Sequence, residues 1–190
     1  MRLEVLIAEI QEEMYKKIAE NRTVDQAEAS ETARIVGLSA IKYGDLSNQA
    51  SKDYVFDVDR FTSFEGNTGP YILYTIVRIK SILSKYAAEG KDPEQAKIQG
   101  TKDNLTKALM LSCARYNEVI EGAYEELAPH KICAYIYDLA NDFNRFYHET
   151  RILAEEDPKK KESYIGLLVL TKRVLEACID MLGFEAPERM

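Results

Sequence analysis

Apolar residues recur at steps of three and four along most of this chain, which is the spacing of one face of an α-helix. The first stripe contains Leu3, Leu6, Ile7, Ile10, Met14 and Ile18. A second stripe follows Thr23, which offers an N-terminal cap, and it ends near Tyr43 with Gly44 as the expected C-terminal cap. The opening of the chain therefore predicts two helices.

Residues 44–69 interrupt the helical pattern. They contain a short extended or β-like run at 53–57 and then a loop in which Gly66 and Gly69 precede Pro70, a residue suited to a first helical turn. The remaining pattern predicts helices over 70–88, 101–114, 116–127, 130–150 and 161–182, with Gly183 ending the last one. We therefore expect an all-α fold: an antiparallel helix bundle over 70–190, preceded by a smaller, mostly helical domain over 1–69.

Two faces of the helix predicted after residue 70 differ in character. At about 100° per residue, the apolar stripe falls on one side of the helix. Tyr71, Tyr74 and Arg78 fall on another side, together with Ser81 and Lys85. Aromatic rings beside cations suit single-stranded RNA, since bases stack on rings while cations meet phosphates. Periodicity alone favours the alternative, in which both tyrosines pack against a neighbouring element.

The helix predicted over 130–150 raises the same question. Its core stripe ends at Phe143 and Phe146, and Tyr147 lies on the margin of that stripe with Asn144 and His148 nearby around the helix. Such a tyrosine can receive an unstacked base. A core-edge tyrosine with its hydroxyl in water is the alternative, and it is the more frequent outcome.

Composition narrows the function classes. The formal net charge of −7 argues against a general nucleic-acid binder, because phosphate neutralisation needs clustered lysine and arginine, although one basic face stays compatible with it. The three cysteines lie in apolar helical patterns, so we expect buried thiols in a reducing cytoplasm. Apolar runs stay far below the ~20 residues that cross a bilayer, which predicts no membrane association.

Motifs for catalysis and metal binding are missing from the sequence. His130 and His148 have no cysteine or carboxylate partners at zinc-ligand spacing. The chain also has no phosphate-binding loop, nucleophile elbow or dinucleotide fingerprint. We therefore expect neither catalytic residues nor a metal site in this chain.

Several segments resemble arginyl-tRNA synthetase, a class I aminoacyl-tRNA synthetase. The specific matches are residues 54–59, 63–74, 141–147 and 182–184, and the terminal tetrapeptide 187–190, so the resemblance covers nearly the whole chain. Neither the HIGH-type nor the KMSK-type signature of that class is present. The resemblance implies a C-terminal fragment with Met1 as an engineered start. The parent enzyme joins arginine to its tRNA with ATP and Mg²⁺, whereas the fragment binds no cofactor and is not catalytic alone.

The resemblance also assigns roles to residues. It implies that 1–69 is the end of the catalytic region and that 70–190 is the anticodon-binding bundle. In the family, tyrosines and the C-terminal tail hold the middle anticodon base, a cytosine. The implied tRNA-binding residues in this chain are Tyr71, Tyr74, Arg78, Tyr147, His148 and Met190.

The expected partners follow from the same resemblance. They are the anticodon loop of arginine tRNA and the remainder of the synthetase. We expect a cytoplasmic monomer, with dimerisation as an alternative for the isolated fragment because the face that meets the rest of the enzyme would be exposed. A different class of function also stays open, namely a free-standing helical scaffold or adaptor that binds protein.

Overall fold

The computed structural model describes residues 2–21 and 25–190, which form helices and connecting segments. Met1 and Thr23, for which an engineered start and a helix cap were expected, lie outside these ranges. The α-helices are α1 (Leu3–Asn21), α2 (Gln26–Leu46), α3 (Val58–Phe61), α4 (Gly69–Ala88), α5 (Asn104–Ala114), α6 (Tyr116–Glu125), α7 (Pro129–Glu149) and α8 (Pro158–Met181). A 3₁₀ helix, Pro93–Gln95, follows α4. The described ranges contain no β-strand, and the predicted all-α bundle is confirmed.

Helices α4, α5, α7 and α8 enclose the main core, and α2 packs against α4 while α1 covers α2. The predicted stripe of α4 is confirmed, because Ile72, Ile76, Ile79 and Leu83 are all buried. Phe143 and Phe146 of α7 are fully buried in the same cluster. This packing fixes which sides of α4 and α7 remain accessible.

The predicted end of the second helix is wrong. Helix α2 continues past Gly44 to Leu46, and Ser47 is its C-terminal cap, with its amide donating to the Tyr43 carbonyl oxygen at 2.9 Å. A Cβ atom at Gly44 would lie 2.8 Å from Cδ1 of Phe61. Gly44 therefore admits the Phe61 ring of α3 against α2, which is a packing role rather than a capping role.

The last helix ends as predicted. Gly183 has a φ of 81°, in the left-handed region that glycine adopts without steric cost. Its amide donates to the Asp180 carbonyl at 2.9 Å, and the Phe184 amide donates to the Ile179 carbonyl at 3.1 Å. These two bonds form a Schellman motif, and they turn the chain into the tail of residues 183–190.

Candidate nucleic-acid interface

The start of α4 is fixed by three local features. The Thr68 hydroxyl caps the helix by accepting from the Tyr71 amide at 3.2 Å. Pro70 lies in the first turn, where a missing amide hydrogen costs nothing. Gly69 lets α4 approach α2 closely, since a Cβ there would lie 2.3 Å from the Ser39 carbonyl oxygen. Together they set the height and rotation at which α4 presents its tyrosines.

Tyr71 faces α7 and is tied to it by its hydroxyl. The hydroxyl donates to Oδ1 of Asn141 at 2.7 Å and accepts from Nδ2 of Asn144 at 2.9 Å. Its ring also meets the ring of Tyr137 edge to face, with 5.8 Å between centroids. Burial raises the pKa of Tyr71, so its hydroxyl stays protonated and able to donate at neutral pH. Tyr71 is therefore a half-buried wall of the site rather than a free stacking platform.

Arg78 connects the two exposed tyrosines. Its guanidinium carbon lies over the ring of Tyr74, 4.7 Å from the centroid, and over the ring of Tyr147, 4.9 Å from that centroid. Such cation–π contacts are worth about 0.5–1 kcal/mol each at exposed positions. Helices α4 and α7 therefore present one continuous surface of ring, cation and ring, which we call the Tyr74–Arg78–Tyr147 ladder.

The ladder is accessible to a planar ligand. Tyr74 is 41% exposed and Tyr147 is 36% exposed, although both lie beside the apolar core. The Tyr147 ring also stacks on Phe143, with 6.1 Å between centroids and 27° between planes, which fixes its orientation. An exposed aromatic face with a neighbouring cation can stack a nucleobase and attract its phosphate.

His148 lies next to the ladder, whereas Met190 packs against the apolar core. His148 is exposed and its ring meets that of Tyr147 edge on, at 5.4 Å between centroids. Met190 is half-buried and packs against the apolar core. The role of Met190 in the site stays a prediction.

The tail that leads to Met190 is anchored. Phe184 and Pro187 are buried, and the Phe184 ring meets Tyr43 edge to face at 6.5 Å. Nζ of Lys80 on α4 donates to the Pro187 carbonyl at 3.4 Å and pairs with Glu188 at 2.6 Å. Because α4 turns about 100° per residue, Lys80 lies roughly opposite Tyr71 on that helix. These anchors hold Pro187 and Glu188 on the side of α4 opposite Tyr71.

Two residues that sequence reasoning did not place in the site, Asn144 and Tyr43, form hydrogen bonds that hold its helices together. Asn144 was noted only as a neighbour of Tyr147, yet it bonds to three residues of α4. Tyr43 is fully buried, and its hydroxyl oxygen lies 2.6 Å from Oδ1 of Asn67 and 2.8 Å from the Cys133 carbonyl oxygen, two acceptors that share its single proton. It shares a helical stripe with Val36 and Ala40, which was the available signal.

Side chains that commonly bind metals are not clustered in the described ranges. They contain no group of three or more His, Cys, Asp or Glu side chains that could hold a metal ion. Within residues 2–21 and 25–190, no helix is long and apolar enough to cross a membrane. Cys113, Cys133 and Cys178 are buried free thiols, as expected.

Comparison with known proteins identifies relatives over the whole chain. The arginine–tRNA ligase of Agathobacter rectalis is 66% identical, across 100% of this chain and 33% of the ligase. That of Alkaliphilus oremlandii is 55% identical, across 100% of this chain and 32% of the ligase. The chain thus spans about a third of the length of these curated relatives.

Solved structures and a family model agree with these relatives. The arginyl-tRNA synthetase of Thermus thermophilus has a TM-score of 0.85 at 27% identity, across 100% of this chain and 32% of that structure. The model of the DALR anticodon binding domain matches residues 72–190, more than half of the chain. The resemblance stated from the motifs is confirmed, and the chain belongs to the DALR anticodon binding domain family.

Proposed function

We propose that this chain is the portion of an arginine–tRNA ligase that holds the anticodon loop of arginine tRNA. The observation that carries the proposal is the ladder, in which Arg78 lies over both exposed tyrosine rings at one edge of the bundle. A base turned out of the anticodon loop would stack on a tyrosine face, and the adjacent guanidinium would meet its phosphate or its acceptor atoms.

The proposal divides the enzyme's work between this chain and the rest of the ligase. Residues 70–190 bind the anticodon loop, and residues 1–69 form the end of the catalytic region. Activation of arginine with ATP and Mg²⁺ belongs to the remaining two thirds of the ligase, in the cytoplasm, where buried thiols stay reduced. We propose a monomer for the chain, with the rest of the ligase and the tRNA as its partners.

His148 and Met190 complete the proposed site. His148 lies at the exposed edge of the Tyr147 ring, where its nitrogens are available to a flanking nucleotide. The tail is anchored at Phe184 and Pro187, on the side of α4 opposite Tyr71. In this proposal the last residues lead back from that side, and a backbone group or the terminal carboxylate of Met190 reaches the base. Such a group accepts a hydrogen bond from the exocyclic amine of cytosine, a donor that uracil lacks.

A substitution at Tyr147 tests this proposal. Tyr147→Ala removes one ring of the ladder, and we expect it to weaken binding of an arginine-tRNA anticodon hairpin by about 1–3 kcal/mol, the range for one base–aromatic stack. Binding is measured by fluorescence anisotropy with the labelled hairpin, alongside thermal unfolding of each variant.

Tyr124→Ala is the matched control. Tyr124 is 79% exposed on α6, outside the ladder, so its removal should leave hairpin affinity unchanged. Equal affinities of Tyr147→Ala and the unmodified chain would contradict the proposal. Loss of folding in Tyr147→Ala, with affinity lost only for that reason, would assign Tyr147 to the core instead.

A further inference from the structure

Asn144 is a polar side chain of α7 whose hydrogen bonds all reach across to α4. We propose that Asn144 is a positioning residue that holds the Tyr71 hydroxyl and the Arg78 guanidinium as one unit, so that Arg78 stays over both tyrosine rings. This inference rests on the proposed function for its RNA-binding consequence, but not for its geometry.

The three bonds of Asn144 use its whole amide group. Its Oδ1 accepts from Nη1 of Arg78 at 2.6 Å. Its Nδ2 donates to the Tyr71 hydroxyl at 2.9 Å and to the Thr75 hydroxyl at 3.2 Å. Tyr71, Thr75 and Arg78 lie on successive turns of α4. One side chain of α7 therefore contacts α4 at three points and fixes how α4 is rotated against α7.

The chemistry of the partners fixes which way the amide points. An arginine guanidinium has only donors, so the atom that faces Arg78 must be the amide oxygen. The NH₂ group then faces the two hydroxyls, and the Tyr71 hydroxyl donates its own hydrogen bond to Oδ1 of Asn141 at 2.7 Å. Each donor in this network meets an acceptor, and reversing the amide would set two donors against each other.

Arg78 depends on this acceptor for its position. A long arginine side chain has many rotamers, and the two cation–π contacts leave the guanidinium free to rotate over the rings. The bond to Oδ1 of Asn144 fixes one of its nitrogens, and the remaining N–H groups can then address a ligand from a defined place. Without Asn144 we expect Arg78 to sample other rotamers and leave the ring faces.

The alternative role for Asn144 is a simple hydrogen-bonded link between two helices, and a matched variant separates this role from positioning. Tyr135 also lies on α7, and its hydroxyl donates to the Ser112 carbonyl of α5 at 2.9 Å. Tyr135→Phe therefore removes an interhelical hydrogen bond from the same helix without touching the ladder. A pure tie predicts similar consequences for both variants.

The first experiment uses the free chain and needs no RNA. Aromatic ring currents shift the NMR signals of groups over ring faces, so the Arg78 guanidinium signals should be displaced in the unmodified chain. We expect Asn144→Ala to lose this displacement. Asn144→Asp keeps an acceptor oxygen for Arg78, and Tyr135→Phe keeps the ladder, so both should retain it. A displaced Arg78 signal in Asn144→Ala would overturn the inference.

The second experiment measures hairpin affinity. We expect Asn144→Ala to bind the anticodon hairpin about tenfold more weakly, the equivalent of one hydrogen bond to a charged group. In an Arg78→Ala background, Asn144→Ala should add little, because its effect passes through Arg78. Additive losses, or an equal loss in Tyr135→Phe, would overturn the inference. An unmodified chain that fails to bind the hairpin overturns the proposed function, and the spectra then decide the positioning role alone.

Discussion

Leu127 has a backbone conformation that leucine rarely adopts, with a φ of 50°. It follows the C-terminal cap of α6, and it occupies the position that Gly183 holds after α8. The same pair of bonds closes both ends: the Leu127 amide donates to the Tyr124 carbonyl at 3.2 Å, and the Ala128 amide donates to the Ala123 carbonyl at 2.8 Å. Helix α6 therefore ends in a Schellman motif with leucine where glycine is preferred.

We expect Leu127→Gly to stabilise the chain. The left-handed conformation costs an L-residue roughly 1–2 kcal/mol. Glycine removes that cost but gains about 0.5–1 kcal/mol of chain freedom in the unfolded state. The leucine side chain is 83% exposed, so little burial is lost. The free energy of unfolding should rise by about 0.5–1 kcal/mol, which raises the melting temperature by about 1–4 °C for a chain of this size.

Two control substitutions give the opposite sign. Leu111→Gly makes the same chemical change at an exposed position inside α5, where the backbone is right-handed, and it should cost about 1 kcal/mol. Gly90→Ala introduces a Cβ at a φ of 79° with no atom within 4 Å, so no steric clash contributes to its effect. Its expected loss of about 0.5–1 kcal/mol is the backbone strain less the gain from the smaller chain entropy of alanine in the unfolded state.

Urea unfolding followed by far-ultraviolet circular dichroism measures all three variants. The dependence of the unfolding free energy on urea should stay constant, since the surface exposed on unfolding hardly changes. If Leu127→Gly is destabilised as much as Leu111→Gly, the strain assigned to Leu127 does not exist.

Three further expectations concern the thiols, the chemistry and the tail. Burial raises the pKa of Cys133 to about 12, so native thiols should react slowly with a disulfide reagent at pH 8, and fast labelling of the native chain would contradict burial. The stability that comes from keeping the Cys133 thiol neutral should be complete below pH 9 and should decline as pH rises towards 12, because the unfolded thiol ionises first. The chain alone should show no arginine-dependent pyrophosphate exchange, because its sequence lacks the nucleotide-binding signatures, and exchange above background would refute this. Deleting Glu188–Met190, or adding a tag after Met190, in the intact ligase should reduce discrimination between C and U at the middle anticodon position, and unchanged discrimination would leave the tail as an anchor only.

Local sequence signals predicted the helices because the physics of each is local. The apolar stripe of α4 and the glycine after α8 depend on residues a few positions apart. The start of α8 shows the limit: the apolar pattern predicts a helix that begins at 161, yet α8 begins at Pro158 and Lys159 lies in its first turn. Asp157 caps that turn by accepting from the Lys159 and Lys160 amides, at 2.9 and 3.4 Å. Asp157 as an N-terminal cap followed by Pro158 in the first turn is a signal for a helix start, and the run of charged residues made it easy to overlook.

The candidate site was predictable only in part. Helical phase selected Tyr71, Tyr74 and Arg78 on one helix and Tyr147 on another. Which of them meet depends on how α4 and α7 are rotated against each other, and that rotation depends on long-range contacts such as those of Asn144 with Tyr71 and Arg78. Phase alone therefore could not show that Arg78 bridges two rings, or that Tyr71 is bound by its hydroxyl rather than free to stack.

An acidic chain can bind RNA when the cation at the binding site is not paired with a carboxylate. Several cations elsewhere pair with carboxylates, as Arg173 does with Glu94 and Lys161 with Glu89. Among the contacts of the described residues, Arg78 meets an amide oxygen and two rings but no carboxylate. A site that stacks one base needs few cations, provided that those few keep their charge. A net charge of −7 then excludes a broad phosphate-binding surface while leaving a small anticodon site intact.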